Sequence, residues 1–240
     1  MTRSELFITT KLWPGNANWG QKEKDYDGVL KACAGSLKRL GLDYVDLYLI
    51  HAPFSKEHRV EQWRACLELQ RRGLCRSVGV SNYAERHISE IEAAGLALPA
   101  ANQIELHPLN TKSALVRFML ARSILPIAYS SLAPLSSWRA TKISESGAVE
   151  GSAKSAELVT AASPFTPLAA KYGVTEAQLL LRWAVQHGWP VLPKSSRPER
   201  VLENADVFGF ALEQPDMAAL DEMDRGLALA WDNGDPVDSP

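Results

Sequence analysis

The chain has 240 residues, of which 46% are hydrophobic and 22% charged, a composition typical of a folded domain with a sizeable core. Its formal net charge is −2 without a basic stripe, which argues against nucleic acid and against an anionic membrane surface as partners. No apolar run is long enough to span a membrane, no secretory signal is recognisable, and the cysteines and histidines lack metal-ligand spacing. We therefore expect a cytoplasmic protein with free thiols and no metal site.

Short apolar runs rich in β-branched residues alternate with helical patterns along the chain. The predicted strands are Leu6–Lys11, Val45–His51, Ser77–Ser81, Ala101–Leu106, Leu125–Ser131 and Pro190–Ser195. The helical patterns are Lys22–Leu40, Glu61–Arg72, Glu85–Ala94 and Thr175–His187. The first pattern carries an apolar stripe of Val29, Cys33, Leu37 and Leu40. This alternation predicts an α/β fold with a parallel sheet and helices packed outside it.

One segment interrupts the alternation. Residues 136–163 are rich in Ser, Ala, Gly and Glu and poor in apolar residues, so we predict a long loop after the fifth strand, either a functional lid or disordered. No linker composition divides the chain, and we expect a single domain over residues 1–240.

Polar residues stand at or near the ends of all six predicted strands. They are Lys11, His51, Ser81, Asn82, Gln103, Glu105, Tyr129, Ser130, Lys194 and Ser195. A lone lysine or histidine at a strand end is ordinarily a solvated or packed group. In a parallel barrel, however, the C-terminal ends of the strands form the active site, so six such ends in succession predict one polar site.

A group of cations and hydroxyls follows the last predicted strand and opens a helix. It comprises Lys194, Ser195, Ser196, Arg197 and Arg200, followed by Glu203 and Asn204. Such residues beside free helix amides suit a phosphate, whereas the alternative is an ordinary charged helix start. Tyr129 is suited to stack on a flat heteroaromatic ring, and Asn82 and Gln103 to hydrogen-bond an amide. The G-x-G-x-x-G fingerprint is absent, so a dinucleotide would be held in another way.

These motifs resemble those of the aldo-keto reductase superfamily. The matching stretches are Thr9–Trp13, Leu40–His51, Gly79–Tyr83, Asn102–Pro108, Ala128–Ser130 and Pro193–Ser195, the last with Arg200, Glu203 and Asn204. They occur in family order across nearly the whole chain. The resemblance implies a (β/α)8 TIM barrel that reduces aldehydes or ketones with NADPH, its partner being a small-molecule carbonyl substrate.

The resemblance also implies roles for single residues. Lys11 and His51 would be catalytic, Lys11 lowering the pKa of a proton-donating tyrosine and His51 orienting the substrate carbonyl. The cofactor-binding residues would be Ser81, Asn82 and Gln103 on the carboxamide, Tyr129 and Ser130 at the nicotinamide, Lys194, Ser195, Ser196 and Arg200 at the 2′-phosphate, and Glu203 and Asn204 on the adenine. Trp13, Phe54 and Trp231 would form the substrate wall, although rim packing explains them equally well.

The sequence also departs from the family pattern. The family has an Asp-Thr-Ala segment and a proton-donating Tyr upstream of its lysine, and nothing like them occurs before Lys11. We therefore expect an incomplete, N-terminally truncated barrel of about six βα units, with impaired turnover and poor solubility. Tyr26, Tyr44, Tyr48 and Tyr83 are weak substitutes for the donor.

Two other functions are compatible with these residues. One is a non-catalytic NADPH-binding or regulatory barrel protein, because the predicted nucleotide residues are present and the proton donor is not. The other is a barrel lyase with Lys11 as a Schiff-base lysine, which we disfavour because the sequence gives no sign that Lys11 is desolvated. The particular carbonyl substrate and the oligomeric state are not specified by the sequence.

Overall fold

The computed structural model of the chain describes residues 1–135, 142–143, 149–150, 163–231 and 234–240. The chain forms two compact units. Unit 1 comprises Met1–Ile104, Ala114–Pro126 and Asp235–Pro240, and unit 2 comprises Glu105–Ser113 and Ile127–Gly234. The chain passes from unit 1 to unit 2 within its fourth strand, and it does so again within its fifth strand.

Five strands form one sheet in sequence order. They are β1 (Thr9–Leu12), β2 (Val45–Ile50), β3 (Cys75–Ser81), β4 (Ala101–Glu105) and β5 (Leu125–Tyr129). The pairings β1–β2, β2–β3 and β3–β4 are all parallel. The predicted α/β class with a parallel sheet is confirmed. Consecutive parallel neighbours place the C-terminal ends of these strands along one edge.

Eight helices occur in the described part of the chain. They are α1 (Tyr26–Leu40), α2 (Arg59–Arg71), α3 (Glu85–Ala93), α4 (Ser113–Leu120), α5 (Thr166–Tyr172), α6 (Glu176–Gln186), α7 (Pro198–Ala205) and α8 (Gln214–Asp221). The patterns for α1, α2, α3 and α6 predict these helices to within a few residues. Helices α4, α5 and α8 were not predicted. None of the helices in the described ranges has the length and apolar character needed to cross a membrane.

The core of unit 1 forms around β2, all six residues of which are buried. Burial on both faces explains why this strand is almost continuously apolar and does not alternate. Helices α1 and α2 pack against each other beside it. Val29, Cys33 and Leu37 of the predicted stripe are buried, but Leu40 is 47% exposed, so the stripe ends one turn earlier than predicted.

Two predicted elements begin too early. Strand β1 starts at Thr9, not at Leu6, because the Ile8 amide is bound by the Asp46 carboxylate (2.9 Å) and Phe7 is 71% exposed. Helix α1 starts at Tyr26 because the Asp25 side chain accepts a hydrogen bond from the Gly28 amide (2.8 Å), a standard N-cap.

The prediction of a sixth strand over Pro190–Ser195 is wrong. In the described structure it is reduced to one parallel bridge between Val191 and Ala128, with the Ala128 amide bound to the Pro190 carbonyl at 2.8 Å. Most of the predicted loop over 136–163 lies outside the described residues. Within it, β6 (Lys142–Ile143) and β7 (Val149–Glu150) form a short antiparallel pair.

Candidate functional site

Lys11 and His51 lie side by side at the ends of two paired strands of unit 1. Lys11 is opposite Leu49 in the β1–β2 register, and the His51 amide donates to the Leu12 carbonyl at 2.9 Å. Burial lowers the pKa of Lys11 to about 8. Burial, followed by the positive charge of Lys11, lowers the pKa of His51 to about 4. His51 is therefore a neutral imidazole near pH 7 and can donate a hydrogen bond to an acceptor without carrying a charge.

The low pKa of Lys11 corrects one expectation. No residue pattern around Lys11 indicates desolvation, whereas in the folded chain burial disfavours the charge of its ammonium group. The desolvation of Lys11 depends on the elements that pack around β1, and these are distant in sequence.

Ser81, Asn82 and Gln103 come together at the ends of β3 and β4. The register pairs Ser81 with Gln103, and the Ser81 hydroxyl donates to the Gln103 carbonyl at 2.7 Å. The Asn82 side-chain amide donates to the His51 carbonyl at 2.9 Å. Thus one network links three predicted cofactor residues to the predicted catalytic histidine. The side-chain amide of Gln103 takes part in no hydrogen bond among the described residues, although Gln103 is only 3% exposed.

An aromatic group lies on one side of His51. The Trp13 ring meets the His51 ring edge-on, with 5.5 Å between the centroids. The Trp13 ring also meets the Phe54 ring, with 5.7 Å between the centroids. Trp19, which the sequence analysis missed, stacks on Trp13 at 6.0 Å and contacts Phe54 at 5.1 Å. A tryptophan followed by glycine in a loop just after a predicted active-site strand is the signal that would have found it. Trp13, Trp19 and Phe54 form an aromatic group on one side of the imidazole.

The loop that carries Trp13 and Trp19 is fastened to unit 1. The buried Gln62 side chain donates to the carbonyls of Pro14 (3.2 Å) and Lys24 (2.8 Å). Gly15 has φ of +89° and a Cβ there would come within 2.3 Å of the Lys22 carbonyl oxygen, so only glycine fits this fold-back. The backbone of this loop consequently holds Trp13 and Trp19 in place.

Unit 2 contains a cavity of about 980 Å³ near the start of α7. The predicted cofactor residues on its wall are Ser130, Lys194, Ser195, Arg200, Glu203 and Asn204. Neither Lys194 nor Arg200 forms an ion pair with another described residue. The wall also carries the carboxylates of Glu176 and Glu203, but neither forms an ion pair with Lys194 or Arg200 among the described residues. Two cations that are not held in ion pairs suit a phosphorylated ligand.

Two residues of the predicted phosphate group differ from the rest. Ser196 is exposed and does not line the cavity, and Arg197 serves as the N-cap residue of α7. The Ser195 hydroxyl accepts from the Arg197 amide at 3.1 Å, which ties the loop before α7 into a turn. Ser131, which the sequence analysis did not select, lines the same cavity, and its buried hydroxyl oxygen has no partner among the described residues.

Tyr129 ends β5, and Ser130 follows it in unit 2. The Tyr129 hydroxyl accepts a hydrogen bond from the indole N–H of Trp231 at 2.9 Å. Ser130 has φ of 53°, a left-handed conformation that is uncommon outside glycine. The predicted wall residues are thus divided between the units, with Trp13 and Phe54 beside His51 in unit 1 and Trp231 beside Tyr129 in unit 2.

The other tyrosines that were weighed as proton donors differ in their surroundings. Tyr48 and Tyr83 are buried, and burial raises the pKa of both hydroxyls. The Tyr44 hydroxyl accepts a hydrogen bond from Arg76 at 3.0 Å, and the half-buried Tyr26 begins α1. Within the described ranges, no group of three His, Cys, Asp or Glu side chains is placed to hold a metal ion.

The chain is similar to known reductases along most of its length. The family model described as "Aldo/keto reductase family" matches residues 1–225. Methylglyoxal reductase DkgA of Escherichia coli (strain K12) is 36% identical over 97% of this chain and 74% of its own length. Morphine 6-dehydrogenase of Pseudomonas putida is 37% identical over 97% of this chain and 74% of its own length. A Bombyx mori aldo-keto reductase, whose crystal structure is in complex with NADP, is 32% identical in sequence. Its TM-score is 0.79, and the match covers all of this chain and 74% of that chain.

Proposed function

This chain belongs to the aldo/keto reductase family, and we propose that it reduces aldehydes or ketones to alcohols with NADPH as the hydride donor. The observation that carries the proposal is the cavity of unit 2, in which Lys194 and Arg200 face the same space as Ser195 without carboxylate partners in the described residues. Two cations and a hydroxyl suit the 2′-phosphate that distinguishes NADPH from NADH.

The residues of this chain fit such a cofactor. In unit 2, Lys194, Ser195 and Arg200 would hold the phosphate, Glu203 and Asn204 the adenine, and Tyr129 the face of the nicotinamide, with Ser130 beside it. In unit 1, the Gln103 amide, with its hydrogen-bonding capacity unused among the described residues, would bind the carboxamide together with Ser81 and Asn82. Ser196 is the member of this group that lies off the cavity wall, and all of these roles stay predictions.

The chemistry of the carbonyl falls to Lys11 and His51. NADPH, when bound, supplies the hydride to the carbonyl carbon. The neutral His51 imidazole would donate a hydrogen bond to the carbonyl oxygen, while the Lys11 ammonium beside it would stabilise the negative charge that develops there. The alkoxide would take the proton that completes the alcohol from water at His51. Trp13 and Phe54 would bound the apolar part of the substrate. Family membership disfavours the lyase alternative, although Lys11 is desolvated.

The predicted N-terminal truncation is not supported, since the family model matches residues 1–225 and the relatives match nearly the whole chain. Tyr48 and Tyr83 are buried with raised pKa values, so neither suits the role of proton donor. A barrel of about six βα units and the cytoplasmic location stay predictions, as does impaired turnover.

The test is a nicotinamide-fluorescence titration of the 240-residue chain with NADPH and NADH, run beside an aldehyde turnover assay. Because Arg200 would contact the 2′-phosphate, we expect Arg200→Ala to weaken NADPH binding by about 10-fold or more and to leave NADH binding unchanged. Arg197→Ala removes a neighbouring cation that does not line the cavity and should change neither affinity.

The same experiment separates reductase from non-catalytic binding protein. Tight NADPH binding with aldehyde turnover supports the proposal, and tight binding with no measurable turnover favours an NADPH-binding or regulatory role. Equal losses in Arg200→Ala and Arg197→Ala would remove the argument for a phosphate site. Absence of NADPH binding by the unaltered chain would contradict both functions.

A further inference from the structure

A buried carboxylate in unit 2 has no role in the function proposed above. Glu105 ends β4 and is 1% exposed. It accepts hydrogen bonds from the backbone amides of Leu229 (2.6 Å) and Ala230 (3.0 Å), and His107 lies 2.9 Å from the same carboxylate. Burial alone would raise the pKa of Glu105, but the hydrogen bonds from His107 and the two amides hold it below its ordinary value. Glu105 is therefore an ionised acceptor directed at a segment more than a hundred residues away.

That segment, residues 224–231, runs along the turn that follows β4, and we name it the 224–231 strap. The Leu109 carbonyl accepts from the amides of Arg225 (3.2 Å) and Leu227 (2.9 Å). The Thr111 amide donates to the Asp224 carboxylate at 3.3 Å. With the two bonds to Glu105, the strap is bound at several positions along its length. Glu105 supplies the anchor nearest to Trp231.

The strap ends at the Tyr129 ring. Trp231 follows directly after the two residues that Glu105 binds, and its indole N–H donates to the Tyr129 hydroxyl at 2.9 Å. Leu229 and Ala230 themselves line the cavity that also contains Ser130 and Lys194 on its wall. The phenol oxygen lies at the far end of the ring, so a donor held there on an anchored strap fixes the χ1 rotamer and the position of the ring.

We propose that Glu105 is a positioning residue that anchors the 224–231 strap, and that Trp231 thereby orients the Tyr129 ring for stacking on the nicotinamide. The inference rests on the proposed function for the role of Tyr129, whereas the contact between Trp231 and Tyr129 stands by itself. Trp231 accordingly acts on cofactor affinity through Tyr129, beyond any part in the substrate wall. Restricting the ring before binding removes part of the ordering cost of the nicotinamide complex.

The contact is tested first without any nucleotide. In a ¹H–¹⁵N spectrum of the full chain, the Trp231 indole resonance is identified by its loss in Trp231→Phe. We expect Tyr129→Phe to shift this resonance and to leave the other indole resonances in place. Glu105→Gln, which loses the ionised acceptor, should shift it in the same direction, whereas Glu222→Gln, an exposed carboxylate at the end of α8, should not.

The consequence is tested by nucleotide affinity. We expect Trp231→Phe and Tyr129→Phe each to raise the Kd for NADPH about 3- to 10-fold, with the double variant no weaker than the weaker single one, because both remove one hydrogen bond. Adenosine 2′,5′-bisphosphate, which lacks the nicotinamide, should bind all of them equally. Trp189→Phe, whose indole stacks on His187 at 4.5 Å, is the matched control and should bind both nucleotides normally.

Three results would overturn the inference. They are an unshifted Trp231 resonance in Tyr129→Phe, additive losses in the double variant, and an equal loss of NADPH and adenosine 2′,5′-bisphosphate in Trp231→Phe. If the unaltered chain binds neither nucleotide, the proposed function is wrong and the role in cofactor affinity falls with it, while the indole resonance still decides whether the contact exists.

Discussion

Asn82 and Ser130 each stand directly after a strand, and both adopt the left-handed backbone conformation, with φ of 61° and 53°. Asparagine tolerates this conformation better than other non-glycine residues, whereas serine pays a steric cost of about 1 kcal/mol. Both residues belong to the predicted cofactor group, one in each unit. Strained residues at strand ends are typical of ligand sites, where the surrounding hydrogen bonds hold them in place.

His51 gives a prediction at the scale of a single residue. Its folded pKa of about 4 lies below the unfolded value of 6.5, so the unfolded chain binds the proton first as pH falls. Folding stability is therefore lost between pH 6.5 and 4, by about 2 kcal/mol at pH 5 from this residue. We expect His51→Gln to reduce the fall in unfolding free energy between pH 7 and 5, measured by urea denaturation.

His87 supplies the comparison for this measurement. Burial lowers the pKa of His87 to about 4 as well, so His87→Gln should flatten the same pH range by a similar amount. His58, whose pKa is raised by its bond to Glu61, should have no such effect when replaced by Gln. An unchanged pH dependence in His51→Gln would show that the imidazole is not buried in the folded chain.

At the scale of elements, the residues just before β1 were predicted to belong to the strand. In the structure a side chain of β2, the Asp46 carboxylate, binds the Ile8 amide there. The Asp46 carboxylate on β2 is 3% exposed and binds the Ile8 amide (2.9 Å), the Arg3 guanidinium (2.7 Å) and Arg76 (3.1 Å). The Ile8 carbonyl accepts from the Asp46 (2.9 Å) and Leu47 (3.2 Å) amides, so the carboxylate takes up the amide side of Ile8 while its carbonyl pairs with the backbone of β2. Because β1 carries Lys11 a few residues later, Asp46 also fixes the start of the strand that positions it.

We expect Asp46→Asn to lower the free energy of unfolding by about 2 kcal/mol, since it weakens two charged hydrogen bonds at a buried position. Asp43→Asn, an exposed change of the same charge just before β2, should cost less than about 0.5 kcal/mol. Chemical denaturation of both variants measures the difference. Equal stabilities would mean that the Asp46 contacts contribute nothing net.

At the scale of the whole molecule, each unit leaves large apolar side chains in solvent. Phe7 is 71% exposed in unit 1, and Leu202 and Phe208 are 73% and 75% exposed in unit 2. Among the described strands, β1 stands at one end of the sheet order and pairs with β2 alone. Exposed apolar groups and strands at a sheet edge both favour association between chains.

We therefore expect the 240-residue chain to associate at tens of micromolar, as measured by size-exclusion chromatography with light scattering. The triple variant Phe7→Ser, Leu202→Ser, Phe208→Ser should shift the population toward monomer. Leu120→Ser removes another exposed apolar side chain, on α4, and should change the distribution little. A monodisperse monomer of the unaltered chain would contradict this expectation.

The sequence alone determined the α/β alternation, the strands β2 to β5 and the polar residues at their ends, because apolar periodicity, glycine stops and strand-end chemistry are local properties of the chain. It also led to the family. Tertiary structure decided that Pro190–Ser195 is a single bridge, that Lys11 is desolvated and that Glu105 binds the 224–231 strap. Each of these depends on partners far away along the chain, so no local pattern of residues could specify it.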